Sequence, residues 1–243
     1  PFTQQVTIHP NPVADFALPN VCLPAGNASF NATATIPDGT GPQLTYAWDF
    51  GDGSAAGAGN PGTHTYSATG PYNVVLTVTS NNGCATPVTK NITTIYAEPK
   101  ASFTTAPEVC LGNTITLTDA STAPGSTVTE WQWDFNGDGV TDDVRNSGAP
   151  FTHTFATAGP YNIILKVKSA AGCESVTPAN IATNTVVVNP LPVAAFAPVL
   201  PGCKDQAASF TDNSVANAGS IVKWTWNFGD GTGPKTLAPT GGT

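Results

Sequence analysis

Methionine is absent from the 243 residues, and positive charge is scarce. Eight lysines and arginines stand against sixteen aspartates and glutamates, for a formal net charge of −8. A chain without a basic footprint is not built to bind nucleic acid or an anionic membrane surface. No apolar run approaches the ~18–20 residues of a membrane span, so no membrane insertion is expected in this segment. Charged residues make up only 10% of the chain, far from the Ala/Glu/Lys/Leu content of long helices. Motifs of nucleophilic, zinc-hydrolytic or phosphate-cradling enzymes (GxSxG, HExxH, a P-loop) are missing, and no enzymatic activity is expected. The sequence opens on Pro1 with no secretion leader and reads as a mature product or a window from something longer.

What is present is glycine, proline and repetition. The 24 glycines and 22 prolines are nearly a fifth of the chain, and 40% of residues are hydrophobic, enough to build cores. Tyr46–Gly53 reads YAWDFGDG, Trp131–Gly139 reads WQWDFNGDG and Trp224–Gly231 reads WTWNFGDG. His64–Val78 (HTYSATGPYNVVLTV) recurs as His153–Val167 (HTFATAGPYNIILKV). Self-similarity at a fixed period is the mark of a repeat architecture. It divides the chain into residues 1–11 as the tail of a preceding repeat, 12–98 as repeat one, 99–189 as repeat two and 190–243 as a truncated repeat three. Gln4–Pro10 (QQVTIHP) resembles the closing strands Ile92–Pro99 and Thr185–Pro190.

Within each repeat the period is two. Tyr72, Val74, Leu76 and Val78 alternate with Asn73, Val75, Thr77 and Thr79, and Tyr161 to Val167 does the same, the pattern of strands with one buried face. Turn signals separate the strands, so the expected fold is all-β: seven-stranded, Ig-like sandwiches arranged end to end. Trp48, Trp133 and Trp226 are the expected core tryptophans. Tyr72 and Tyr161, each after Gly-Pro, suggest tyrosine corners whose hydroxyls hydrogen-bond nearby backbone. All five tryptophans fall on one repeated strand, and only Phe2, Tyr96 and Phe151 lie off the aromatic repeat, which leaves little for a sugar-stacking platform.

The five cysteines also follow the frame. Cys22, Cys110 and Cys203 precede the second strand; Cys84 and Cys173 sit in NNGC and AAGC turns. The expected pairs are Cys22–Cys84 and Cys110–Cys173, with the partner of Cys203 outside the chain. This assumes that the two loops share one end of a sandwich. Paired cysteines imply an oxidising, extracellular setting. His64 and His153, in THT[YF] strands without a paired nucleophile, read as structural. The one oxygen-rich loop is Asp134–Asp143. Asp134, Asn136, Asp138 and Asp142, with the Val140 carbonyl, hold positions one, three, five, nine and seven of a Ca²⁺ loop, but Arg145 stands where a bidentate glutamate is expected. The same residues also suit a plain polar hairpin. No cofactor other than Ca²⁺ is suggested.

A WDFGDG strand followed by HTY and GPYNVxLxV, in units near 90 residues, resembles the PKD (polycystic kidney disease) domain. Repeats one and two carry both motifs; in repeat three Asn227 replaces the aspartate of Asp49 and Asp134. The cysteine pair resembles the PKD repeats of large surface proteins of Bacteroidota, exported by the type IX route. The resemblance implies a semi-rigid spacer, adhesive stalk or surface fibre of a cell-surface protein. The alternative it implies is an accessory region of a secreted polysaccharide- or protein-degrading enzyme. Implied partners are other repeats of the same chain and surface glycans or matrix proteins.

Overall fold

The computed structural model describes residues 3–39, 43–199, 203 and 206–238; Phe2 and the outermost parts of segments 1–11 and 190–243 lie outside them. Unit one contains β1 (Val13–Phe16), β2 (Asn27–Phe30), β3 (Ala32–Thr35), β4 (Leu44–Asp49), β5 (Gly57–Ala58), β6 (Gly62–Thr65), β7 (Tyr72–Ser80) and β8 (Ala85–Ile92). The sheet β5-β4-β7-β8 faces the shorter pairs β1-β3 and β2-β6. Unit two repeats the plan with β9 (Phe103–Thr104), β10 (Glu108–Cys110), β11 (Thr114–Asp119), β12 (Val128–Asp134), β13 (Asp143–Arg145), β14 (Phe151–Thr154), β15 (Gly159–Ser169) and β16 (Ala182–Asn189). Here β10-β16-β15-β12-β13 faces β14-β11-β9. The third segment shows β17 (Phe196–Val199), β18 (Ser209–Asp212), β19 (Trp224–Trp226) and β20 (Lys235–Leu237). The expected all-β sandwiches are present. Each full unit has one strand segment more than seven, because the chain after the GDG loop folds back on the tryptophan strand as β5 or β13.

The period-two pattern becomes burial directly. Along β7 and β15, Val74, Leu76, Val78, Ile163, Leu165 and Val167 are buried while the residues between them face outward. Trp48 and Trp133 are each 1% exposed at the centres of two separate cores. Fully burying one such side chain is worth roughly 3 kcal/mol. Trp226 keeps the same aromatic company, Phe196 at 5.5 Å, Phe210 at 6.0 Å and a stacked Phe228. Its cluster is open, with Phe196 58% exposed, because no counterpart of β7 or β15 covers it among the described residues. Gln4–Pro10 forms no strand, and Val6 and Ile8 are exposed.

The tyrosines after Gly-Pro are half-buried rather than buried. The Tyr72 hydroxyl donates to the Ala68 carbonyl at 3.3 Å and the Tyr161 hydroxyl to the Thr157 carbonyl at 3.1 Å. A deeper tyrosine went unremarked in the sequence: Tyr66 is fully buried, and its hydroxyl donates to the Phe50 carbonyl at 3.0 Å. Burial drives its phenol well above the ordinary range, so it stays neutral.

The two cores solve one packing problem differently. In unit one the Trp48 indole lies over Gly62 and donates to the Gly59 carbonyl at 2.8 Å. In unit two the position of Gly62 is taken by Phe151, which packs edge-on against Trp133 at 5.3 Å and carries the Arg145 guanidinium 3.5 Å above its other face. Phe151 is therefore off the repeat because it fills the space that a glycine leaves elsewhere. A Cβ on Gly62 would stand 2.5 Å from Trp48 Nε1. Gly62→Ala is therefore expected to destabilise unit one by about 1–3 kcal/mol through overpacking, read as a lowered melting transition by calorimetry. An unchanged transition would show that the indole can move aside.

Candidate functional site: the junction between the units

The link between units is short, and both of its ends are pinned. On the side of unit one, Ile95 is buried and Tyr96 pairs in parallel with Cys22. The Tyr96 amide donates to the Val21 carbonyl, and the Leu23 amide to the Tyr96 carbonyl, both at 2.9 Å. Two residues on, Glu98 is gripped by unit two. Its Oε1 accepts from the Val176 and Thr177 amides, the latter at 2.5 Å. Its Oε2 accepts from the Thr177 hydroxyl at 2.9 Å and from Asn180 Nδ2 at 3.0 Å. Burial alone would raise the Glu98 carboxyl; these four donors outweigh it and hold the pKa below the ordinary carboxylate range. Pro99 is buried, and Lys100 and Ala101 enter unit two by backbone bonds to Thr122 and Asn180. Only Ala97 separates a residue fixed to one unit from a residue fixed to the next. Tyr96, off the aromatic repeat, belongs to this joint.

A covalent bond crosses the same joint. Cys22 of unit one is bonded to Cys173 of unit two, with Cα atoms 5.5 Å apart and a sequence separation of 151. The expected pairs Cys22–Cys84 and Cys110–Cys173 do not form; Cys84, Cys110 and Cys203 are free. The reason is the length of a hairpin. Cys84 closes the turn between β7 and β8, which pair over eight residues, whereas Cys22 lies beside Tyr96, past the other end of β8. At ~3.3 Å per residue the two are roughly 25 Å or more apart, against the ~7 Å between Cα atoms that a disulfide tolerates. Cys110, beside Asn189, and Cys173, beyond Ser169, sit at opposite ends of β15 in the same way. Neither unit holds an internal disulfide among the described residues.

The acidic loop of unit two is organised by its own amides. Asp134, 6% exposed, accepts from the Gly137 amide at 2.6 Å and the Gly139 amide at 2.8 Å. Asn136 Oδ1 accepts from the Asp138 amide, Asp138 Oδ1 from the Val140 amide and Asp142 Oδ2 from the Phe135 amide. Arg145 pairs with Asp143 at 2.7 Å. The residues singled out for Ca²⁺ thus lie in one loop; among the described residues no group of three or more His, Cys, Asp or Glu side chains is placed to hold a metal ion, a set that leaves out the Asn136 and Val140 oxygens a calcium loop also uses.

The histidines stack on the core edge, His64 on Phe50 at 4.3 Å and His153 on Phe135 at 3.8 Å. Burial lowers the His153 pKa against the raising pull of Asp142 and Asp143. His64 Nε2 lies 2.7 Å from Asp52 Oδ2. Burial pushes the Asp52 carboxyl up, but hydrogen bonds from Ser54 and His64 prevail and bring it down to about 2.

A model of the PKD domain matches residues 9–95 and again residues 96–184. The chain belongs to the PKD domain family. Pre-pro-metalloprotease PrtV of Vibrio cholerae is 30% identical over 140 residues, 57% of this chain and 14% of that protein. Collagenase ColA of Clostridium perfringens is 42% identical over 62 residues, 26% of this chain and 6% of that protein. The chain therefore spans a small fraction of these relatives. Among solved structures, the PKD1 domain of Vibrio anguillarum Epp is 29% identical, with a TM-score of 0.31, and covers 36% of this chain and 96% of its own. In this PKD pair the cysteine bond and the Glu98 grip lie between the units, not inside them.

Two outcomes follow from these contacts. Glu98→Ala removes the acceptor of four hydrogen bonds and is expected to cost unit two about 1–3 kcal/mol, with loss of amide-exchange protection at Val176 and Thr177; protection equal to that of the parent chain would show that the grip is incidental. Because Asp52 is depressed in the folded state, its contribution is complete above the ordinary carboxylate pKa of ~4 and is lost as pH falls through about 2. Asp52→Asn is therefore expected to flatten the fall in melting temperature of unit one between about pH 4 and pH 2; an equally steep fall would assign the acid sensitivity elsewhere.

Proposed function

We propose that this chain is a non-catalytic, extracellular spacer, a semi-rigid segment of PKD units that sets distance and orientation between the regions it joins. The observation that carries the reading is the junction: backbone pairing on one side, a half-buried carboxylate held by four donors on the other, and a disulfide across both. Ordinary flexible linkers leave inter-domain motion free; here a single alanine is the only link residue without an anchor. Disulfides persist in oxidising compartments, which supports a setting outside the cytoplasm, and no helix among the described residues is long and apolar enough to cross a membrane. Trp48, Trp131 and Trp133 are buried, so the two complete units are occupied with folding rather than with a sugar-stacking face. Their partners are other repeats of the array, with glycans or matrix proteins met at its ends. The match to parts of a metalloprotease and a collagenase supports a second reading, an accessory region spacing a catalytic domain from its polymer.

Because each unit has its own core, cutting the disulfide is expected to free their relative orientation without unfolding either. Small-angle scattering of Cys22→Ser, or of the reduced chain, should show a broader spread of dimensions than the oxidised chain, with an unchanged near-ultraviolet circular dichroism. An unchanged spread would remove the bond from the spacer reading. Retained binding of the oxidised chain to collagen or chitin would favour the accessory role.

A further inference from the structure

Three cysteines remain free, and two of them stand in the same settings as the two that are bonded. Cys110 repeats the surroundings of Cys22. Cys22 pairs in parallel with Tyr96, and the next amide, Leu23, donates to the Tyr96 carbonyl; Cys110 pairs in parallel with Asn189, and the Leu111 amide donates to the Asn189 carbonyl at 2.8 Å. Cys84 repeats the surroundings of Cys173. In both turns the serine four positions before the cysteine does the same work. Ser80 Oγ accepts from the Cys84 amide and Ser169 Oγ from the Cys173 amide, each at 3.2 Å, and the serine amides donate to the cysteine carbonyls. Cys84 Sγ lies 3.5 Å from the His9 carbonyl, in the stretch leading into unit one, just as Cys173 lies at the link leading into unit two.

The third segment already approaches Cys110 as unit two approaches Cys22. The Cys173 turn rests on the loop before β12, where the Ala170 amide donates to the Thr127 carbonyl and the Ala171 amide to Ser126 Oγ. The corresponding loop of the third segment, at Gly219 and Ser220, lines a groove with Cys110, Glu108 and Asn189. Entry into the third segment repeats as well: Val193 and Val215 exchange the backbone bonds that Lys100 and Thr122 exchange in unit two. A turn cysteine resting on that loop, as the Cys173 turn rests on Ser126 and Thr127, would be held next to Cys110.

We propose that Cys22–Cys173 is one rung of a repeating series, in which the cysteine before the second strand of each PKD unit bonds to the turn cysteine of the unit that follows it. Cys110 and Cys203 are then outgoing half-sites for the next unit's Gly-Cys turn, and Cys84 is the incoming half-site for the unit ahead. The occupant in each case is a flanking PKD unit. Forming a rung joins two thiols as one S–S bond and releases two protons and two electrons. The electrons pass by thiol–disulfide exchange to an external disulfide, of glutathione or of an oxidoreductase, which leaves as two thiols. This inference concerns connectivity and stands apart from the spacer reading: the rungs can exist whether the array spaces or binds.

The test has two arms, both read by differential alkylation and peptide mapping without reduction, after folding in a glutathione redox buffer. The chain itself should give a Cys22–Cys173 peptide and three alkylated thiols, at Cys84, Cys110 and Cys203; a Cys22–Cys84 or Cys110–Cys173 peptide would overturn the series at once. In the second arm the third segment is completed by grafting residues 135–189 of unit two after Asn227, which supplies it with a turn cysteine. The alkylated thiols should fall from three to two as Cys110 joins the grafted cysteine. A bond from the grafted cysteine to Cys203, or a Cys110 that stays alkylated while the grafted unit shows its own melting transition, would overturn the proposal. Cys110→Ser should return the grafted cysteine to the alkylated pool; its absence there would count against the assignment equally.

Discussion

The length of one β-hairpin decides how this molecule is held together. Strands β7 and β8, like β15 and β16, run the full height of a unit, and they carry one cysteine-bearing feature at each end. A disulfide spans only a few ångströms, so cysteines at opposite ends of a sandwich cannot meet within it. They can meet only where the top of one unit touches the bottom of the next. The linker has to be short enough to bring those ends together, and it is: the chain leaves unit one at Tyr96 and is captured by unit two at Glu98. Covalent bond, linker anchors and strand length are thus one arrangement rather than three.

Much of this was legible in the sequence. Period-two alternation in Tyr72–Val78 and Tyr161–Val167 became buried strands, and the repeated tryptophans became the centres of separate cores. Alternation works because side-chain direction in a strand is local and needs no knowledge of the fold. The cysteine pairing was not legible in the same way. Cys22 and Cys84 recur with nearly the same spacing as Cys110 and Cys173, so the frame is equally satisfied by pairing within a repeat or across the boundary. The choice depends on which end of the hairpin each cysteine occupies, a matter of topology. Glu98 was missed because a lone glutamate beside a proline carries no motif; its four donors come from residues about 80 positions away. Tyr96 offered the available hint, an aromatic off the repeat and inside a linker.

Repetition of fold has not required repetition of contacts. Unit one closes the face of its central indole with glycine and a backbone acceptor; unit two closes it with a phenyl ring under a guanidinium. Tyr66 anchors its hydroxyl on Phe50, while Phe155 fills the same place with no hydroxyl. Aromatic cores accept such exchanges when volume is conserved. The turn around Cys84 and Cys173 shows no such drift, its serine and glycine hydrogen bonds being the same in both units.

The bond between Cys22 and Cys173 also reroutes tension. A pull on the two ends of the chain enters at the first strand of unit one, crosses to unit two through sulfur, and leaves along its last strand. The 151-residue separation enclosed by that bond amounts to roughly 500 Å of contour at full extension, and none of it can be drawn out while the bond lasts. Trp48 and Trp133 sit inside the closed loop, while Phe16 of β1 and Val186 and Val188 of β16, which complete the two cores, lie outside it. The covalent shortcut carries the load past the enclosed strands and leaves only β1 and β16 of the two units on the loaded path.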